Sequence, residues 1–287
     1  MKEEMRMARV RKTRSTSATS SKPIAAVDRP RRIESVLAKI QPVYAVRRHL
    51  KAVIFGSTGI GKTRLSATAP DVLIVDCNEK GTMSIRDMTG VDIYELEKFA
   101  ELTNLLYFLE HEEHSYKTVV FDGTTSLLQL AMAQILNEQS ELDASKDPAM
   151  PDKRDYGKLN EVMRRVILEA RDLPMHVIFT VLDQARTDED TEEVTITPAV
   201  TPGVLKTLVA QVDVVGWLHM HRMPAKGKTK AKTVRRLLVG PSLRYITKDR
   251  LGLYGRYVIN PNLSEMIDRL GSEGQAPPDE EVDSDAE

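Results

Sequence analysis

Eight consecutive residues, Gly56-Ser57-Thr58-Gly59-Ile60-Gly61-Lys62-Thr63, match the pattern G-x-x-x-x-G-K-[ST] at every fixed position. The chemistry of such a run is the gripping of a polyphosphate. Glycines let the backbone turn its N–H groups inward, where a Cβ would intrude. The Lys62 ammonium would reach the β- and γ-phosphates and the Thr63 hydroxyl would ligate Mg²⁺, so ATP and Mg²⁺ are the expected ligands. The pattern works only between a strand and a helix. Ala52-Val53-Ile54-Phe55 is a short apolar run that reads as a buried strand, and Arg64-Leu65-Ser66-Ala67 can continue a helix. The helix N-terminus would add free N–H donors and partial positive charge. A glycine-rich turn that matched by accident would lack that frame.

Three further side chains stand where such chemistry would need them. Asp122 ends the apolar run Thr118-Val119-Val120-Phe121, where an acid can help Thr63 hold Mg²⁺. The competing role is a helix cap, but Thr124 or Thr125 can cap the helix that follows. Hydrolysis also needs a group to orient or deprotonate the attacking water. Glu79 follows the run Val72-Leu73-Ile74-Val75-Asp76 and is the candidate, with Asp76 as competitor in a packing or supporting role. Thr180, near the end of His176-Val177-Ile178-Phe179-Thr180-Val181, can sense a γ-phosphate by hydrogen bonding or simply pack as a β-branched strand residue.

These residues need a scaffold that gathers strand ends. Helical spacing occurs over Phe99 to Leu109, again after Asp122 (Leu127, Leu128, Ala131, Ile135), and most clearly over Tyr156 to Arg171. A loop with Pro148 and Pro151 separates the last two, an acidic turn-prone stretch runs over Thr187 to Glu193, and a short strand is expected around Val194 to Thr197. Val204 to Val212 reads as a helix, and Val214 to Met220 and Arg235 to Val239 as two strands joined by a lysine-dense loop. The alternation predicts an α/β fold: a mostly parallel twisted sheet with helices on both faces, plus antiparallel strands towards the C-terminus. Ligands on such sheets bind beyond the carboxyl ends of the strands, where the phosphate loop, Glu79, Asp122 and Thr180 all fall.

Composition sets the outer bounds. The 287 residues with 41% hydrophobic content support a substantial core, and no apolar run approaches the ~20 residues of a membrane span. The charged N-terminus and single cysteine, Cys77, lead to the expectation of a cytoplasmic protein without a disulfide or cysteine-rich metal site. His219 with His221, and His111 with His114, lack metal-ligand spacing. A net charge of −1 hides an asymmetry. Residues 1–44 read as a basic, disordered arm with a short helix over Ile33 to Ile40, residues 45–271 as one ATPase domain, and residues 272–287 as an acidic disordered tail. The arm can touch nucleic acid by charge or be solvated; the tail can compete for a basic surface or serve solubility.

Lys226, Lys228, Lys230 and Lys232 alternate along the loop between the last two strands, with Arg235 just beyond. A basic hairpin suits a phosphate backbone and would make affinity fall steeply with salt. The plainer alternative is a solvated hairpin tip, and the loop contains no aromatic on which a base could stack.

Taken together, GSTGIGKT, VDCNE, YKTVVFDG and MHVIFTVLD resemble the RecA-like branch of P-loop ATPases, and more narrowly its phage-encoded nucleotide-binding proteins. That group includes core-only recombinases that promote single-strand annealing. The similarity runs from about Val53 to Leu270, through Asp155-Tyr156-Gly157-Lys158 and Tyr245-Ile246-Thr247-Lys248-Asp249-Arg250. The resemblance implies that Glu79 is the catalytic glutamate, although an extra residue separates it from Asp76. It also implies that Lys248 and Arg250 form a K-x-R finger acting in the neighbouring subunit's site, where such a finger is worth about 10³–10⁵ in rate; a charged β-turn is the alternative. The expectation is an ATPase that binds single-stranded DNA, acts in recombination as a homo-oligomer, and meets a single-strand-binding or replication partner, in the host cytoplasm if phage-encoded. The competing expectations are a nucleotide-gated assembly or DNA-binding module with negligible hydrolysis and, third, a small-molecule kinase.

Overall fold

The computed structural model describes residues 29–40, 49–143, 147, 149–188, 191–225 and 231–271. The chain divides into two compact units, Met1–Arg47 and Arg48–Glu287. In the first, the described residues form helix α1 (Arg29–Leu37), close to the short helix expected over Ile33 to Ile40. Residues 1–28 and 41–44 of the basic arm, and the acidic tail, lie outside the described residues.

The second unit is built on a sheet whose central strands are β1 (Lys51–Phe55), β2 (Val72–Asp76), β4 (Thr118–Asp122) and β5 (His176–Val181). These run parallel, with β5 between β1 and β4, and β2 beyond β4. Both sheet faces are covered, which is why these strands read as unbroken apolar runs. Val53 and Phe55 of β1 face one core, shared with α3 (Glu101–His111), α4 (Thr124–Leu142), α5 (Lys153–Asp172) and α6 (Pro202–Gln211). Ala52 and Ile54 face the other, shared with α2 (Lys62–Ser66), the 3-10 turn Gly81–Ile85 and α7 (Leu263–Gly271). The entry to α5 is fixed by a capping box, in which Asp152 accepts the Asp155 amide and Asp155 accepts the Asp152 amide.

Beyond β1 the sheet changes character. β8 (Val214–Met223) continues it in parallel, then β9 (Lys232–Leu238) and β11 (Tyr257–Ile259) add antiparallel, with β10 (Lys248–Asp249) on the start of β8. The mixed sheet and flanking helices therefore agree with the expected α/β architecture. Four strands have no counterpart in the sequence reading: the short β10 and β11, and two of five residues each. β3 (Val91–Glu95) pairs with β2 at the sheet edge, where three of its five residues are exposed and no apolar run forms. β6 (Asp183–Thr187) is polar but for Ala185 and exists through its ladder to β7 (Val194–Pro198).

Candidate nucleotide site

The site grows from strand register. In the parallel ladder Asp76 stands opposite Asp122, and Ile54 opposite Thr180, so the strand ends finish level with one another. Gly56 leaves β1 with its N–H donated to the Val181 carbonyl at 3.2 Å, and the phosphate loop turns above that edge. Within the loop Gly61 has φ 102°, a left-handed conformation, and a Cβ there would come within 3.0 Å of Arg235 Nε. The helix that follows is only five residues long, so the loop amides and Lys62 carry more of the anion affinity than a helix dipole could.

Lys62 Nζ donates to the carbonyls of Gly56 at 2.7 Å and Ser57 at 3.1 Å. Its ammonium thus rests on the loop's own backbone, where a phosphate could draw it away. Burial pushes its pKa down, while Asp122, Asp183 and Glu79 pull it up. The Thr63 hydroxyl donates to Asp122 Oδ2 at 2.7 Å, which places the two expected metal-holding side chains together. Thr180 donates to Asp122 Oδ1 at 2.5 Å and accepts the Gly123 N–H at 2.9 Å. Its hydroxyl is thus already engaged in orienting the aspartate. Asp122 is 4% exposed. Burial raises its pKa, and the Thr180 and Thr63 hydroxyls partly offset that rise.

Glu79 lies beside this group. Asp76 Oδ1 accepts the N–H of Glu79 at 2.7 Å and of Lys80 at 3.1 Å, which sets the turn that carries the glutamate. The Glu79 carboxylate accepts the Ser126 hydroxyl at 2.6 Å. Its side chain crosses Gly123, where a Cβ would overlap it and where φ is 90°. Gly123 is the N-cap of α4, with no side-chain cap. That corrects the expected capping by Thr124 or Thr125: Thr125 donates to the Ala199 carbonyl at 3.2 Å, and Thr124 is fully buried. The left-handed glycine turns the chain without any cap.

Sequence reasoning missed two residues here. Asp183, which follows β5 after one residue, accepts the Ser57 hydroxyl at 3.0 Å and so ties the loop to β6. Ser126 gave no sequence signal, being one of several hydroxyls opening a helix. An acid closing an apolar run, the criterion that found Asp122, would also have found Asp183.

Of the expected DNA-contacting set, the two described residues do not share a face. Lys226, Lys228 and Lys230 lie outside the described residues. Lys232 and Arg235 are three apart on β9, so the pleat sends them to opposite faces. Arg235 Nε donates to the Ile60 carbonyl at 2.9 Å, which makes it an outer brace of the phosphate loop. Lys248 and Arg250 stand at the opposite, amino end of the sheet, roughly 15 Å from the loop by strand length. Lys248 Nζ donates to the carbonyls of Val209 and Val212, both at 2.7 Å, and Arg250 to that of Ala210 at 3.0 Å. In this chain they close the C-terminal end of α6.

The donor set suits Mg²⁺. A hydroxyl and a carboxylate 2.7 Å apart supply hard oxygens. No cluster of three or more His, Cys, Asp or Glu that could hold a metal occurs among the described residues. Magnesium, which takes one or two protein ligands and fills its shell with phosphate oxygens and water, needs none. Among the described residues no helix is long and apolar enough to cross a membrane.

Comparison with known proteins places these features. No curated protein matches the chain. Among solved structures it is similar to the flagellar accessory protein FlaH from Methanocaldococcus jannaschii, at 14% identity over 73% of this chain and 84% of that one, with a TM-score of 0.36. Residues 48–251 match the family model AAA_24, described as AAA domain. With most of its length inside that match, phosphate loop included, the chain belongs to this AAA-domain family of P-loop proteins.

Proposed function

We propose that the chain is a magnesium–ATP-binding switch of the RecA-like branch, gated by nucleotide and turning it over through Glu79. The observation that carries the reading is the relay Thr63–Asp122–Thr180, in which both hydroxyls are aimed at Asp122, beside a phosphate loop whose Lys62 rests on its own carbonyls. Lys62 exchanges the Gly56 and Ser57 carbonyls for phosphate oxygens, which couples occupancy to loop shape. Thr63 and Asp122 would hold Mg²⁺, whose charge would neutralise the β- and γ-oxygens. Glu79 accepts a proton from a water as its oxygen attacks the γ-phosphorus. The bond from that phosphorus to the β,γ-bridging oxygen breaks, leaving ADP and inorganic phosphate.

The test is ATP turnover and ATP–Mg²⁺ thermal stabilisation of wild type and Lys62→Ala. A ligand at 100 times its Kd stabilises by about 2.7 kcal/mol. The variant should show no such stabilisation and about 100-fold less turnover. Equal turnover in the two proteins ends the reading.

A second reading is a nucleotide-gated assembly module with negligible hydrolysis. It is favoured by the engagement of Lys248 and Arg250 at the end of α6, remote from the loop of the same chain. Action of either in a neighbour's site belongs instead to the first reading and predicts turnover that rises with protein concentration. Nucleotide-dependent mass without turnover would select the module. Single-stranded DNA, reached through the basic hairpin, is the proposed partner in strand annealing or recombination, and oligonucleotide binding at two salt concentrations tests it.

A further inference from the structure

We infer that Ser126 is the positioning residue for the Glu79 carboxylate, and that Ser126, Gly123 and Asp76 together form a preset cradle for it. The inference rests on the proposed role of Glu79 and adds what aims that side chain. Three contacts of different kinds converge. Asp76 Oδ1 accepts the Glu79 N–H at 2.7 Å and so fixes the main chain. Gly123, in its left-handed conformation, lacks the Cβ that would overlap Glu79 Cγ, and that position lies 2.8 Å from Glu79 Oε1. Ser126 Oγ donates to Glu79 Oε1 at 2.6 Å and so fixes the carboxylate.

The arrangement spans three links of the fold. Asp76 ends β2, Gly123 follows the last residue of β4, and Ser126 stands in the first turn of α4. A glutamate with its residue exposed at the surface would otherwise sample several rotamers. Held at its main chain, Cγ and one oxygen, it keeps the second oxygen for a water. Gly123 N–H is meanwhile bound to Thr180, and Thr180 to Asp122, so the cradle and the metal-holding carboxylate share one frame. Displacing the water-orienting group while the phosphates stay gripped should therefore act on kcat and leave KM alone.

The experiment measures kcat, KM for ATP–Mg²⁺ and Tm for Ser126→Ala, Ser126→Thr, Glu79→Gln and the double variant Ser126→Ala/Glu79→Gln. The expected result is a fall in kcat of about 10-fold in Ser126→Ala, with KM within about twofold and an unchanged Tm. Ser126→Thr, which keeps a hydroxyl, restores kcat to within about threefold. In the Glu79→Gln background the Ser126→Ala change has no further effect, because the group it aims is already inactive. A wild-type kcat in Ser126→Ala overturns the inference, as does an equal fractional loss in both backgrounds, which would mark a general structural role. Wild-type turnover in Glu79→Gln, or none in the native protein, overturns it together with the role of Glu79. Nucleotide-dependent thermal stabilisation would separate that outcome from loss of the phosphate site itself.

Discussion

Replacing Thr180 with valine tests the frame on which the site depends. The side chain is fully buried and its single hydroxyl serves two partners, Asp122 Oδ1 and the Gly123 N–H. Valine fills nearly the same volume, so packing changes little, but both bonds vanish. A hydrogen bond to a charged group contributes about 1.5–3 kcal/mol, and a buried N–H left unpaired costs about 1–3 kcal/mol. The two terms share one hydroxyl and are not additive, so the expected loss is about 2–4 kcal/mol. For a domain of this size that lowers Tm by roughly 5–15 °C.

The loss should also depend on pH. Burial already raises the pKa of Asp122, and Thr180 is one of the groups holding it down, so the valine variant should raise it further. An acid whose pKa is higher folded than unfolded favours the folded state while protonated, and that contribution is lost as pH rises through the folded pKa. The Thr180→Val deficit should therefore be smallest near the ordinary aspartate pKa of about 4 and grow towards neutrality. The acid limb of magnesium-dependent turnover should move to higher pH, with Thr180→Ser close to wild type. Calorimetric melts at two pH values and a pH–rate profile measure all of this. A Thr180→Val protein that melts like wild type at neutral pH, or shows one deficit at both pH values, would refute the argument that Thr180 acts through Asp122.

Two other substitutions probe the surroundings. Gly123→Ala places a Cβ on Glu79 at a φ of 90°, so it should lower kcat by 10-fold or more, and also Tm, while ATP–Mg²⁺ still protects the protein in thermal shift; loss of binding and turnover in equal measure would contradict this. Lys51, whose ammonium donates to the Leu173 and Met175 carbonyls, has its pKa lowered by burial to about 8. Its charged form is penalised on folding, so stability should rise as pH climbs from about 8 towards the unfolded value near 10.4, and Lys51→Met should lack that rise in Tm.

What the sequence disclosed follows from which constraints are local. β1, β2, β4 and β5 are buried on both faces, so each is an apolar run whose end is marked by the first polar group, and Asp122 and the phosphate loop were legible for that reason. β3 and β6 were not, because an exposed edge and a polar ladder impose no apolar pattern. Capping was misjudged at Thr124 and Thr125 because a left-handed glycine one residue earlier already makes the turn, and Glu79 lying across that glycine is set by tertiary packing. The basic hairpin is a different case. An odd spacing separates Lys232 from Arg235, and in a strand that alone sends them to opposite faces. Lys232 therefore forms no common stripe with Arg235, whose partner is the Ile60 carbonyl of the phosphate loop.

Hydrogen bonds join most of these residues into one object. Ser57 binds Asp183, Arg235 braces Ile60, Thr63 and Thr180 hold Asp122, and Thr180 holds Gly123, whose missing side chain leaves room for Glu79. A phosphate that takes Lys62 from the Gly56 and Ser57 carbonyls acts on the loop that carries the first of these contacts, and displacement of Glu79 acts on the last. Hydrolysis is then separable from binding by mutation at Ser126 but coupled to it through Thr180. Of the three positions, Ser126 is the one whose loss should lower rate alone, whereas loss of Lys62 or Thr180 should disturb both affinity and rate.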